Sequence, residues 1–324
     1  MMHKIAVYSP NGAVPKPDYS HRSAWPKMVL DSLRVSNFEL QPKGPLSDFD
    51  EVWLYLGMEF NGSLNLFGGA SDDNADKLLK LLEAPKISYL KANNQFPNCP
   101  KLGTLAKERA AKSSSQRWLD LPFATLDNVC DIANVVEQGS HRNAVVGDSH
   151  ALCLYDGNSN IYRHDHKTMH GAVEDGLSAF YPSYDYLFDK VTFCFGNIDL
   201  QHHLCNRLLS DVDELVDSYV YQVAAQPFNK MEIVELLPVF PEDRKLATTG
   251  YYKGKPWNGT WSERNTLRNY INQRLQDQIE KYKDLVSLVR WPSHIYAQDG
   301  SFSAEAMESP RGPHLAWSHR RQTW

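Results

Sequence analysis

Ala144-Val145-Val146-Gly147-Asp148-Ser149-His150 is the stretch on which the reading of this sequence turns. Three apolar residues, two of them β-branched, form a buried-strand pattern, and a glycine followed by polar residues ends it. A serine so placed stands at the carboxyl end of a strand, where open parallel sheets collect their ligands. Gly147 permits a tight turn that exposes the Ser149 hydroxyl beside backbone N–H groups able to stabilise an oxyanion. The same pattern also fits an ordinary strand-to-helix turn with Ser149 as a helix cap.

Strand and helix signals alternate on both sides of this stretch. Downstream, Val191-Thr192-Phe193-Cys194-Phe195-Gly196 reads as a second buried strand ending in Asn197-Ile198-Asp199, which should lie beside the first. A helix follows from about 210 to 225, then a strand over Met231 to Pro238. From Trp261 to Leu288 a long amphipathic helix is expected, with Leu267, Ile271, Leu275, Ile279 and Tyr282 three or four residues apart. Upstream, Lys4 to Tyr8, Asp50 to Gly57 and Lys86 to Leu90 read as strands, separated by helical patterns at Trp25 to Leu33 and Asp72 to Glu83. Strand, helix, strand, helix implies a parallel sheet. The fold class is therefore α/β, with a Rossmann-like parallel sheet over residues 1–140 and a second α/β domain over residues 141–324.

Composition agrees with two folded domains. The chain has 324 residues, 42% apolar and 23% charged, close to the average of globular proteins. No run approaches the ~18 apolar residues of a membrane span, and the N-terminus lacks a signal-peptide apolar core, so no membrane partner and a cytoplasmic location are expected. Cys99, Cys130, Cys153, Cys194 and Cys205 show no metal-ligand spacing and read as free thiols. A net charge of −5 argues against electrostatic capture of nucleic acid by the whole surface, so such a partner needs a local patch. The polar, basic stretch from Cys99 to Trp118 looks the most linker-like; Lys101, Lys107, Arg109, Lys112 and Arg117 form either a solvated helix and loop or an edge that contacts phosphates.

Four blocks carry candidate chemistry: Gly147-Asp148-Ser149, Lys167-Thr168-Met169-His170-Gly171, Phe195-Gly196-Asn197 and the late Gly312-Pro313-His314. In this order they resemble the SGNH (GDSL-like) hydrolase superfamily over about residues 144–315. The resemblance implies a flavodoxin-like α/β/α domain with Ser149 as nucleophile and His314 as general base. It also implies an oxyanion hole made by the N–H groups of Ser149 and Gly171 and the side chain of Asn197. The family places an aspartate three residues before the histidine, where this chain has Arg311; Glu308 is the nearby carboxylate able to orient the imidazole. Asp148, His150, His170, Asp199 and Arg311 flank these blocks and are expected to bind substrate. His164, His166, His170, His202 and His203 offer possible ligand pairs without further ligands at a recognised spacing, so neither metal nor cofactor is expected, and they read instead as contacts to a polar or anionic substrate.

In the first half, Asn65-Leu66-Phe67-Gly68-Gly69 with Lys86 to Leu90 resembles phage DNA β-glucosyltransferases. Together with the basic stretch, this suggests a protein that meets modified DNA. In size and pairing of parts the chain is similar to the phage amino acid:DNA transferases of thymidine hypermodification. That resemblance implies attachment of an amino acid such as glycine to 5-phosphomethyl-deoxyuridine, with DNA carrying modified thymidine or uracil and a free amino acid as partners, in the host cytoplasm. His314 would then take the amine proton while Asn197, the turn amides and Arg311 hold the departing phosphate. The alternatives are an SGNH esterase or acyltransferase acting on a small ester or a glycan acetyl group, and a binding module without catalysis.

Overall fold

The structure, a computed structural model, describes residues 3–10, 37–56, 71–91, 98–136, 141–181, 188–240, 254–307 and 314–321. The chain divides into two compact units, Met1–Ser140 and His141–Trp324. The helical pattern at 25–33, the glycine-containing segment 59–69, Glu308 and Arg311 lie outside the described residues.

In the N-terminal unit, strands β1 (Ile5–Tyr8), β2 (Phe38–Leu40), β3 (Glu51–Leu54), β4 (Ile87–Leu90) and β5 (Asn134–Val136) form one parallel sheet in the order β2-β1-β3-β4-β5. Helices α1 (Asp72–Lys80), α2 (Leu102–Ala110), α3 (Gln116–Leu119) and α4 (Phe123–Asp131) accompany it. The stretch that looked most like a linker is thus α2 and α3, and it belongs to the core: Leu102, Ala106, Ala110 and Trp118 are buried with Tyr8, Leu54 and Leu78. Its polar residues are only the outer face of helices whose inner face is apolar.

The C-terminal unit repeats the plan. Strands β6 (Asn143–Gly147), β7 (Ser159–Arg163), β8 (Lys190–Cys194), β9 (Lys230–Val234) and β10 (Val286–Val289) are parallel, in the order β10-β9-β8-β6-β7. Counted within each unit, both sheets follow 2-1-3-4-5, the flavodoxin-like version of the doubly wound fold. The direction of winding changes between β6 and β8, which marks the crevice at their carboxyl ends as the natural ligand position.

Helices α5 (Met169–Asp175), α6 (Asn197–His202), α7 (Leu209–Ala224) and α8 (Trp261–Ile279) belong to this unit. On α7 the residues Val212, Leu215, Val216, Tyr219, Val220 and Val223 recur at helical spacing and enter the core with Val191, Phe193 and Ile233 of the sheet. Thr260 and Glu263 start α8 with a reciprocal capping box, and Leu267, Ile271, Leu275 and Ile279 form its inner stripe. This helix ends at Ile279, whereas periodicity carried it to Leu288. Val286-Ser287-Leu288-Val289 is instead the edge strand β10, because β9 offers it an open edge and valine-rich sequence packs well on a pleated surface. No helix among the described residues is long and apolar enough to cross a membrane, and all five cysteines are free thiols.

Leu275 is wholly buried in the larger core. Leu275→Ala should lower unfolding stability by about 2 to 5 kcal/mol, read as a shifted denaturation midpoint with an unchanged denaturant slope.

Candidate active site

The close approach of β6 and β8 builds the site. A Cβ on Gly147 would lie 2.3 Å from the Cys194 carbonyl oxygen, so only glycine lets the two strand ends meet. The next residue, Asp148, donates its N–H to that same carbonyl at 3.0 Å. The chain then turns into a 3-10 segment, Ser149–Leu154, capped by Asp148, whose Oδ1 accepts the His150 N–H at 2.8 Å. His150 Nδ1 lies 2.9 Å from the same oxygen, which places the ring proton on Nδ1. Asp148 is fully buried and its Oδ2 has no hydrogen-bond partner among the described residues. Both residues were expected to bind substrate; the structure buries them and bonds them to each other instead.

The C-terminal segment returns to this turn. His314 Nε2 lies 2.9 Å from Ser149 Oγ. The segment is held just after the imidazole: Leu315 bridges Met307, the Cys153 thiol donates to the Leu315 carbonyl, and the Arg321 guanidinium forks onto Glu232 in β9 at 2.7 and 3.1 Å. The His150 ring sits 5.2 Å from the His314 ring, centroid to centroid. Burial pushes the His314 imidazole well below its ordinary pKa, helped by the neighbouring His150 and Arg163 and opposed by Asp165 and Asp148. A neutral imidazole facing a hydroxyl is what a general base requires.

Arg163, buried at the end of β7 and paired in register with Gly147, forks onto Asp165, with Nη2 to Oδ2 at 3.0 Å. This ion pair beside the imidazole escaped the sequence reading, which had no strand at Ser159–Arg163; the signal was the β-favouring Ile161-Tyr162 that follows the turn residues Asp156-Gly157-Asn158.

On the neighbouring strand, Gly196 adopts a left-handed φ of 109°, and a Cβ there would strike Met169 Cε at 2.5 Å. The chain can therefore turn at once into α6, which begins with Asn197. Asn197 Oδ1 accepts the Leu237 N–H at 2.9 Å, so the amide is oriented by a backbone donor and Nδ2 is left to donate. Neither Nδ2 nor the Ser149 N–H, at the first position of its 3-10 segment, has an acceptor among the described residues. Gly171 is different. Its N–H donates to Thr168 Oγ1 at 3.0 Å as part of the α5 N-cap, so the expected third oxyanion donor is already used.

Asp199, also expected to meet substrate, is buried and accepts the N–H groups of Met169 at 2.6 Å and His170 at 3.2 Å. Burial raises its pKa, and those two donors oppose the shift. Its work is to pin the start of α5 against α6. His170 is exposed with Glu174 3.4 Å away, while His164 Nε2 donates to the Phe180 carbonyl at 2.7 Å. Among the described residues no group of three or more His, Cys, Asp or Glu side chains is placed to hold a metal ion.

In the N-terminal unit, two of the five basic residues expected to contact nucleic acid are bound to acids, Lys101 to Asp131 and Arg117 to Asp76. Arg109 is half-buried, and Lys107 and Lys112 are exposed. Thr104 and Ser115 bond to Asp127 and Asp72, so this face alternates in sign and is not a uniformly basic stripe.

No protein-family model and no curated protein matches the sequence. Solved structures similar to the chain include a protein from Streptococcus pneumonia described under the name platelet activating factor, with 19% identity and a TM-score of 0.40 over 55% of this chain and 80% of that one. A member of the lipolytic G-D-S-L family from Veillonella parvula aligns at 11% identity and a TM-score of 0.33 over 50% of this chain and 90% of that one. A carbohydrate acetylesterase from Sinorhizobium meliloti aligns at 13% identity and 0.34 over 56% and 93%.

The lowered pKa of His314 fixes the sign of the pH response. Any activity that needs the neutral imidazole should persist below pH ~6.5, the ordinary histidine value, with the acid limb of kcat/KM lying lower. A limb at or above 6.5 would contradict the placement of this ring among His150, Arg163 and buried surroundings.

Proposed function

We propose that the C-terminal unit is a serine esterase or acyltransferase of SGNH type, working through an acyl-enzyme. The observation that carries this reading is the 2.9 Å approach of His314 Nε2 to Ser149 Oγ, made by residues 165 positions apart in the chain. In the first step Oγ bonds to the ester carbonyl carbon while its proton passes to Nε2. The oxyanion that develops is met by the Ser149 N–H and by Asn197 Nδ2, both supplied from the carboxyl ends of adjacent strands. Collapse breaks the bond to the leaving alcohol, which takes the proton from Nε2. Water, or a second alcohol, then attacks the acyl-enzyme with His314 again as base.

The protonated imidazole formed in the first step is opposed by burial, His150 and Arg163, and Asp165 and Asp148 offset part of that opposition. The Asp148–His150 and Arg163–Asp165 pairs thus act on the base with both signs: His150 and Arg163 favour its neutral form, and the two acids ease the arrival of the proton.

Short-chain p-nitrophenyl esters test the reading. Turnover should begin with a burst of nitrophenol and fall by about 10³-fold or more in Ser149→Ala. Turnover surviving in that variant would sink the assignment of the nucleophile. Asn197→Ala should lower kcat by about 10²- to 10³-fold with a smaller effect on KM, as expected for a donor that binds charge formed only in the transition state.

A further inference from the structure

A cavity of about 460 Å³ opens at the carboxyl ends of β9 and β10, between these strands and the outer face of α8. Its size falls within the roughly 300 to 1,000 Å³ usual for small-molecule sites. The floor is rigid. Arg268, buried, donates Nε to the carbonyls of Leu236 and Leu237 at 3.0 Å each and Nη2 to the Tyr296 hydroxyl at 2.7 Å. Tyr296, held protonated by burial that pushes its pKa up to about 12, donates to Glu235 Oε1 at 2.9 Å. Asn272 brackets the Leu236 backbone from the other side.

The rim retains free hydrogen-bonding capacity of both kinds. Arg290 Nη2 donates to Gln276 Oε1 at 2.7 Å, leaving Gln276 Nε2 and the other Arg290 N–H groups as donors. Gln273 gives its Nε2 to Asp277, and Asn269 accepts from Arg268, so one presents a carbonyl oxygen and the other an NH₂. Glu235 Oε2 and the Ser293 hydroxyl complete the set as acceptors without partners among the described residues. An anion site would concentrate cations and exclude a carboxylate, whereas this cavity interleaves donors and acceptors with a free carboxylate oxygen among them.

We propose that this cavity binds a neutral saccharide, whose hydroxyls each donate and accept and so match such a mixed rim. The site stands on its own atoms. That the sugar is the one carrying or receiving the acyl group rests on the ester reading above. The two positions are joined by a short path, since Leu237 gives its carbonyl to Arg268 in the cavity floor and its N–H to Asn197 at the oxyanion corner.

Saturation-transfer-difference NMR and calorimetry on the full chain carrying Ser149→Ala, with maltose, cellobiose and N,N′-diacetylchitobiose as probes, decide the matter. At least one disaccharide should bind with a dissociation constant of about 1 mM or tighter. The double variant Gln276→Ala, Arg290→Ala, made in that background, should weaken it by about tenfold or more, with an unchanged melting temperature as the check on folding. No binding by any of the three, binding indifferent to the double variant, or displacement of the sugar by inorganic phosphate would overturn the proposal. Sugar binding in Ser149→Ala without ester turnover in the unsubstituted protein would retain the saccharide site and reject the esterase.

Discussion

The approach of two parallel strand ends at Gly147 is the constraint on which the C-terminal unit depends. Because a side chain there would collide with the Cys194 carbonyl, the glycine lets Asp148 donate to that carbonyl and turn the chain sharply. The candidate site is arranged around this contact. Ser149 emerges from one strand end and Asn197 from the next, with a second glycine, Gly196, allowing the second turn through a backbone conformation that side chains disfavour. Two neighbouring strands about 4.8 Å apart thereby deliver a hydroxyl and an amide donor to one crevice.

Charge inside this crevice is handled by pairing. Asp148 holds His150, Arg163 holds Asp165, and Asp199 accepts two N–H groups from the start of α5. Burying a lone ion is costly, so acids that seem in sequence to be aimed at a substrate are instead committed to their neighbours. The residual field then acts on the His314 imidazole beside the serine.

The alternating pattern was legible because apolar runs of four or five residues, bounded by glycine and polar turns, have few other uses in an α/β chain. The serine–histidine pairing was legible only as an order of blocks; no local pattern in Gly312-Pro313-His314 fixes a contact across 165 residues. What the sequence hid has specific reasons. Val286–Val289 continues the apolar spacing of α8 well enough to pass as helix, and only an open sheet edge decides otherwise. Gly171 sits where a backbone donor is wanted, but Thr168, three residues before it, is a good N-cap and claims the same N–H. The basic residues near Lys101 are visible in sequence, while their acidic partners come from helices 30 and 41 residues away.

The imidazole reaches the serine from the far end of the unit, tethered by Leu315 and by the Arg321 fork onto Glu232. During synthesis, all five described strands of the C-terminal unit are made before His314 leaves the ribosome. A nascent chain can thus assemble its sheet before the imidazole and the arginine that anchors it have been made, so under the proposed chemistry the serine meets its base only late in synthesis.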